Sequence, residues 1–531
     1  MKLRKENLVV LKNLKEEYQL PKYDIKAVKR ATFDEPIWLH LGAGNIFRGF
    51  LGSCQQKLLN TGIAKTGIIV AEGYDYEIVD ILSQYDNLTV NVTLKESGAV
   101  EKEVLGSIVD YLKMDSEEED FIKIKNIFKA PSLKMVSLTI TEKGYQLTDN
   151  QGKFQKLVSE DFEKGPDMAN SYLGKLTSLL VLRFKAGAEP LALVSMDNMA
   201  HNGEKLRQSI VRFVEEWQVR GYVSDEFADY IKQGDKVSFP WSMIDKITPR
   251  PDCTVQKMLE ETGLSEMEPK ITAKNTYVAP YVNGEETEYL IIEDDFPNGR
   301  PALDDAGILF TTRETVNAVE TMKVTTCLNP LHTALAIFGC LLGYTSIHEE
   351  MKDDLLVSLI KQLGYQEGLP VVKHPKIIDP KAFIDEVINV RLPNPYIPDT
   401  PQRIATDTSQ KIAVRFGETL KAYEAARISV QNLKAIPFVL AGWMRYLTGI
   451  NDLGEKFELS PDPLLVTLVP KFMNFQFGDQ VQTQEIESFL RDKSIFGVDL
   501  FEIGLAENVW NAYQALSAQP GAVRRALHQF E

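Results

Sequence analysis

The stretch that most constrains this chain is IWLHLGAGNIFRGF, residues 37–50. A short apolar run, two glycines one residue apart and a segment of helical periodicity make a strand, a tight turn and a helix. Such a unit belongs to α/β folds, in which parallel strands need helical crossovers. Gly42 and Gly44 would let the backbone approach a pyrophosphate at a helix N-terminus, with Asn45, Ile46 and Arg48 beside it. The third glycine of the usual fingerprint is missing, because position 47 is Phe and Arg48 and Gly49 follow. Taken alone, the same turn serves equally well as a strand–helix connection without a ligand.

The surroundings extend the α/β pattern. GIIVAEGYD, residues 67–75, is a second apolar strand with Glu72 at its end and Asp75 close behind. A carboxylate there accepts hydrogen bonds from adenosine ribose hydroxyls and repels a 2′-phosphate, so it favours NAD over NADP. Further strands are predicted at 88–94 and 135–141, with a charged helical connection at 115–127. A strand at 190–196 delivers Asp197 and Asn198 at its carboxyl end, where open α/β sheets place ligands. VSFPWSMIDKITPRP holds Asp245 in a proline-stiffened loop. Short extended stretches within 270–312 finish a first domain. Residues 1–35 read as an arm of one short helix and an extended lead-in.

From about Thr312 the pattern turns helical. The expected organisation is a Rossmann-type nucleotide-binding domain with added strands over 1–312, followed by a mostly α-helical domain over 313–531. Within the latter, KVTTCLNPLHTALAIFGCLLGY, residues 323–344, gathers an amine, an amide and an imidazole ahead of an apolar helix. Asn329 reads as its N-cap, Pro330 as its first position and Gly343 as its stop. Leu331, Ala334, Leu335, Phe338, Leu341 and Leu342, with Ala336, Ile337 and Cys340 opposite, predict burial all round. On one continuous helix Lys323 and His332 would face opposite ways. Pro330 disfavours helix at Asn329, and a break there folds Lys323, Asn329 and His332 toward one point. The three suit reduction of a carbonyl or oxidation of an alcohol: a proton donor, an oxyanion donor and an orienting group. Each also has a plainer role, as solvated lysine, helix cap or satisfied core histidine. Residues 391–411, with four prolines, are expected to keep Arg391 and Arg403 on irregular backbone.

The 531 residues exceed one core. With 75 acidic against 59 basic residues, the net charge of -16 argues against unspecific nucleic-acid or anionic-membrane binding. An anionic substrate would need a local cation. Cys54, Cys253, Cys327 and Cys340 form no ligand spacing, so neither a disulfide framework nor a metal is expected. The N-terminus lacks an apolar signal core and no run approaches membrane-helix length, which predicts a soluble, cytoplasmic protein. Nothing in the sequence sets an oligomeric state.

In order along the chain, HLGAGNIFRG, SLTITEKGY, SMDNMAHNG, FPWSMIDKITP, IEDDFPNGRP, KVTTCLNPLHTAL and RLPNPYIPDTPQRIATD resemble the polyol-specific long-chain dehydrogenase family. The resemblance covers most of residues 37–411. It implies an NAD-dependent, metal-independent oxidoreductase acting on a ketohexuronate, D-fructuronate to D-mannonate, with mannitol or tagaturonate chemistry as alternatives. It further implies Lys323 as acid/base, Asn198 and Asn329 as oxyanion-binding amides, and His332 as active-site histidine. Asp245 matches the aspartate of the family's SMxD motif, and Arg391 its substrate-binding arginine. Two departures bear on the substrate: NPLH replaces the common NGSH with one extra residue after the lysine, and IFRGF replaces FHRAH. A nucleotide-sensing protein without turnover is the alternative from another class. The intact Lys323, Asn329 and His332 argue against it, since sensing needs no proton donor.

Overall fold

The computed structural model describes all residues except 14–17, 473–474 and 479–483. The chain divides into two compact units, Met1–Asn317 and Ala318–Glu531, and this division falls inside the helix Arg313–Met322, whereas the boundary read from the sequence lies at its start.

The first unit is organised by an all-parallel sheet of β1 (Trp38–Leu41), β2 (Ile68–Glu72), β3 (Ile108–Lys113), β4 (Met135–Leu138), β5 (Leu191–Ser195) and β6 (Val237–Ser238). Their spatial order is β3-β2-β1-β4-β5-β6, the doubly wound dinucleotide-binding order, with its switch point between β1 and β4. Every residue of β1, β2, β4 and β5 is buried, as expected for strands covered on both faces. The strand period divides them between two apolar layers. Trp38, Val70, Met135 and Val194 enter one layer, and Leu39, Ile69, Val136 and Leu193 the other.

Several sequence expectations change here. The strand predicted at 88–94 does not join this sheet: Thr89–Leu94 pairs antiparallel with Val100–Leu105 and parallel with Tyr281–Glu285. The sheet's edge is instead β3, whose Asp110 and Lys113 interrupt its apolar pattern. Asp245 lies not in a loop but at the end of the strand Ser242–Asp245, paired antiparallel with Tyr289–Glu293. The prolines bound that strand rather than disrupt it. The N-terminal arm gains a ten-residue helix, Ile25–Asp34, started by Asp24, whose carboxylate accepts from Lys26 N and Ala27 N.

The second unit is helical. In the helix Asn329–Leu342 the residues Pro330 to Leu341 are buried except His332, and Gly343 closes it at φ 82°. It packs on Ala435–Tyr446, which is buried throughout; Phe338 and Phe438 stack at 5.0 Å. The N-terminus of that second helix has no cap of its own. Glu367 supplies one, its carboxylate accepting from Lys434, Ala435 and Ile436 N at 2.7–2.8 Å. The stretch Arg313–Leu342 corrects the expectation about apolar length: its 30 residues suffice to cross a membrane by length and composition, and 78% of its most apolar window is buried inside the protein.

Candidate active site

In the first unit the glycine turn follows β1. Gly42 has φ 104° and a Cβ there would press onto the Thr139 carbonyl, so only glycine fits. A Cβ on Gly44 would meet no protein atom within 4 Å, which leaves the turn open on that side. The role of the missing third glycine, close packing of the helix, passes to Gly49, where a Cβ would lie 2.9 Å from Val282. The register shifts because Phe47–Leu51 is a wide, π-type turn ahead of the helix Gly52–Thr61. Beneath the turn His40 stacks on Phe47 at 3.6 Å, bonded to the Ser137 and Thr139 hydroxyls. Burial holds its pKa well below the ordinary range, so it is a neutral strut.

Glu72 is 5% exposed. Its carboxylate accepts from Ala43 N at 2.9 Å and from Tyr74 N and Asp75 N at 2.8 and 3.1 Å. It therefore ties the glycine turn to the end of β2. Asp75 is buried too and accepts from the Thr272 hydroxyl. Arg48, 1% exposed, donates to the Ala279 carbonyl and to Asn45 Oδ1, while its Nε has no partner. Asn45 in turn donates to the Pro249 carbonyl at 3.3 Å. A cleft of about 310 Å³ opens here, lined by Ala43, Gly44, Asn45, Arg48, Arg250 and Tyr277 among others. Ile46 opens the wide turn as the residue before Phe47.

Asn198 is exposed at the carboxyl end of β5. Its neighbour Asp197 is spent on structure, accepting from Ile140 N, Thr141 N and the Tyr145 hydroxyl. Asp245 is 4% exposed.

In the second unit Lys323, 3% exposed, opens another wide turn, Lys323–Cys327. The break comes at Leu328 (φ -129°, ψ -62°), one residue earlier than predicted, and Leu328 rather than Asn329 is the N-cap. The wide turn accounts for this, because Leu328 N already donates to Lys323 O. Asn329 is the first helical residue, and its carbonyl accepts from the Thr333 hydroxyl. Arg391 ends a wide turn, Val387–Arg391, and Arg403 lies in the short helix Pro401–Ile404. Neither is on the irregular backbone expected for it. The prolines start turns here rather than exclude them, and Thr400 caps Arg403 N.

His332 is the centre of a cationic group. Burial first, then Arg391, Arg415, Arg403 and Lys411, pushes its pKa down to about 3. Its Nε2 stands 3.3 Å from Asp399 Oδ2, off the line of a hydrogen bond, and Asp399 also receives the Arg403 guanidinium. Arg415, on a further wide turn, Ala413–Gly417, donates to the Thr333 hydroxyl. Burial lowers its pKa to about 10. Lys411 donates to the Ile404 and Thr406 carbonyls, and burial and then Arg415 lower its pKa. Asp399, Lys411, Arg415 and Arg250 are not legible as site residues: Arg415 sits on a wide turn, which re-aims side chains without a sequence mark, and the other three owe their surroundings to tertiary packing that no local pattern announces. The flanking prolines of Arg250 are the one signal available. No group of three or more His, Cys, Asp or Glu fit to hold a metal occurs among the described residues.

The chain matches the mannitol dehydrogenase Rossmann domain over residues 36–305 and the mannitol dehydrogenase C-terminal domain over 315–517. A D-mannonate oxidoreductase of Thermotoga maritima is 49% identical over 514 residues, 96% of this chain and 95% of that protein. A mannitol 2-dehydrogenase of Emericella nidulans is 29% identical, covering 94% of this chain and 93% of its own length. Among solved structures, the Pseudomonas fluorescens mannitol 2-dehydrogenase ternary complex with NAD and D-mannitol aligns with a TM-score of 0.70 at 26% identity, over 100% of this chain and 99% of that one. A substrate-free D-sorbitol dehydrogenase shares the fold, with a TM-score of 0.82 at 24% identity, over 99% and 100%.

Proposed function

Because the chain belongs to the mannitol dehydrogenase family, whose two domains it carries in order, we propose that it is an NAD-dependent oxidoreductase interconverting D-fructuronate and D-mannonate. The observation that carries this is the 49% identity to the Thermotoga D-mannonate oxidoreductase across 96% of the chain. The electrostatics of the second unit support an anionic substrate. In a chain of net charge -16, Arg391, Arg403, Lys411 and Arg415 all act on His332. Such a group offsets the long-range repulsion a uronate would otherwise meet.

The glycine turn fits a dinucleotide: it is open above Gly44, and the buried Arg48 beneath it retains an unpartnered Nε. Ala43, Gly44 and Asn45 would hold the pyrophosphate, with Arg48 as the nearby positive charge. When bound, NAD supplies the hydride chemistry. Lys323 gives a proton to the substrate oxygen in reduction and takes it in oxidation, and the Asn329 amide donates to that oxygen as charge develops. His332, neutral at working pH, orients the substrate by hydrogen bonding without acting as the acid. Asn198 and Asp245 are assigned oxyanion-binding and orienting roles from their place in the family motifs, and Arg391 the grip on substrate.

The test is NADH oxidation with fructuronate, tagaturonate and fructose. Fructuronate is expected to show the highest kcat/KM, by about tenfold or more. Preference for fructose would replace the assignment by a mannitol 2-dehydrogenase, and preference for tagaturonate by its epimeric reductase.

A further inference from the structure

We propose that Arg250 is a phosphate-binding residue of the cofactor cleft, gripping the pyrophosphate that the glycine turn cradles. The assignment rests on the cleft being a dinucleotide site.

Arg250 lines the same cleft as Ala43, Gly44 and Asn45, and its backbone is fixed from several directions. Pro249 and Pro251 flank it, limiting the conformations open to the segment. The Pro249 carbonyl accepts from Asn45 Nδ2, and the Arg250 carbonyl from Asn283 Nδ2 at 3.4 Å. Asp252 N donates to Asn283 Oδ1 at 3.2 Å. Asn45 is thus the hinge pin between two cations: its oxygen takes Arg48 and its nitrogen holds the segment that carries Arg250.

The side chain is prepared as well. It is exposed, and its guanidinium lies 4.4 Å from the centre of the Tyr277 ring, a stacking that restricts an otherwise flexible chain. Arg250 has no ion-pair partner among the described residues. The nearest carboxylate in sequence, Asp252, is occupied in capping the helix Cys253–Glu261 through Thr254 N and Val255 N. In a chain with 75 acidic residues, a cation held this firmly without a carboxylate is built for an incoming anion. The anion that belongs beside a glycine turn and helix N-terminus is a phosphate, and a planar guanidinium binds two of its oxygens at once.

The full-length protein, wild type and with Arg250→Met or Arg250→Lys, is titrated with NADH by fluorescence, and ADP, AMP and adenosine are tested as competitors. For Arg250→Met the NADH Kd is expected to rise by about ten- to a hundredfold, with ADP weakened in parallel and adenosine unchanged. Arg250→Lys should recover part of the loss, and the salt dependence of NADH binding should flatten in Arg250→Met. Melting curves establish that the variants are folded. Equal weakening of adenosine would overturn the proposal, placing Arg250 against the base. So would NADH and ADP affinities unchanged within about twofold, which leave it a surface arginine. Failure of the wild type to bind NADH would refute the dinucleotide site itself, an outcome distinct from either.

Discussion

His332 Nε2 stands 3.3 Å from Asp399 Oδ2 and yet makes no hydrogen bond to it. The carboxylate is shared with Arg403, which donates to its other oxygen. A lone Asp–His pair would raise the imidazole pKa. Here burial and then the charges of Arg391, Arg415, Arg403 and Lys411 outweigh Asp399 and push it down to about 3. The result is a neutral imidazole in a positive field, a combination suited to holding an anion's hydroxyls while cations hold its charge.

That combination has a pH signature. The unfolded chain protonates His332 near 6.5, whereas the folded chain does so only near 3. Between those values the unfolded state carries the extra proton. The contribution of His332 to stability is therefore complete above about pH 6.5 and is lost as pH falls toward 3. Thermal melting as a function of pH should show a shallower acid decline in His332→Gln than in wild type. Identical slopes would mean that His332 titrates normally.

We assign proton transfer to Lys323. It is nearly buried on a wide turn, which fixes the amine and turns it away from the regular helical stripe. Lys323→Ala is expected to lower kcat by roughly a hundredfold or more, measured by steady-state NADH oxidation, with NADH affinity retained. Full activity would remove it from the chemistry.

Much of this arrangement is legible before any coordinates. The run from Trp38 to Gly44 and the apolar strands predict the doubly wound sheet, since fully buried parallel strands need little but continuous apolar residues. The helix from Asn329 to Gly343 is equally plain, bounded by Pro330 and Gly343. What hides is geometry without a composition. Arg48, Lys323, Arg391 and Arg415 all sit on wide turns, where one extra residue per turn re-aims a side chain and no residue type announces it. The same effect moves the packing glycine to Gly49 and the break to Leu328. Glu72 hides differently: its position at the end of β2 can be read, and two of its backbone donors, Tyr74 N and Asp75 N, follow it directly, but the third, Ala43 N, comes from the glycine turn, whose approach only the fold defines.

Substrate charge is tested by comparing Arg391→Met and Arg415→Met on fructuronate and fructose. Losing a buried charge-assisted contact costs about 2–5 kcal/mol, so fructuronate kcat/KM should fall steeply and residual fructose reduction much less. Arg415 adds a second signature. Its guanidinium is lowered to about pKa 10 by burial alone, and no carboxylate lies within ion-pair distance among the described residues. Methionine there removes an uncompensated cation, so the variant should melt no lower than wild type while losing uronate activity. Equal losses on both substrates would show the cations supporting the fold rather than the substrate carboxylate.

Glu72 has two separable duties, and one substitution tests both. The first, which we propose from its place at the end of β2, is to favour NADH by keeping a negative charge where a 2′-phosphate would lie. Its bonds to Ala43 N, Tyr74 N and Asp75 N also hold the glycine turn against the end of β2. Serine is too short to reach these donors and carries no charge. Glu72→Ser is therefore expected to lose about 2–4 kcal/mol of stability and to raise the NADH KM, while the NADPH-to-NADH ratio of kcat/KM increases. Glu72→Gln should fall between, because its carbonyl can still accept but its amide nitrogen meets an N–H donor. Denaturant unfolding and steady-state kinetics with both cofactors measure the two duties independently. Lost stability with an unchanged cofactor ratio would leave Glu72 a brace for the turn alone. A changed ratio at full stability would mean that the backbone donors find other partners and that the carboxylate serves the ribose.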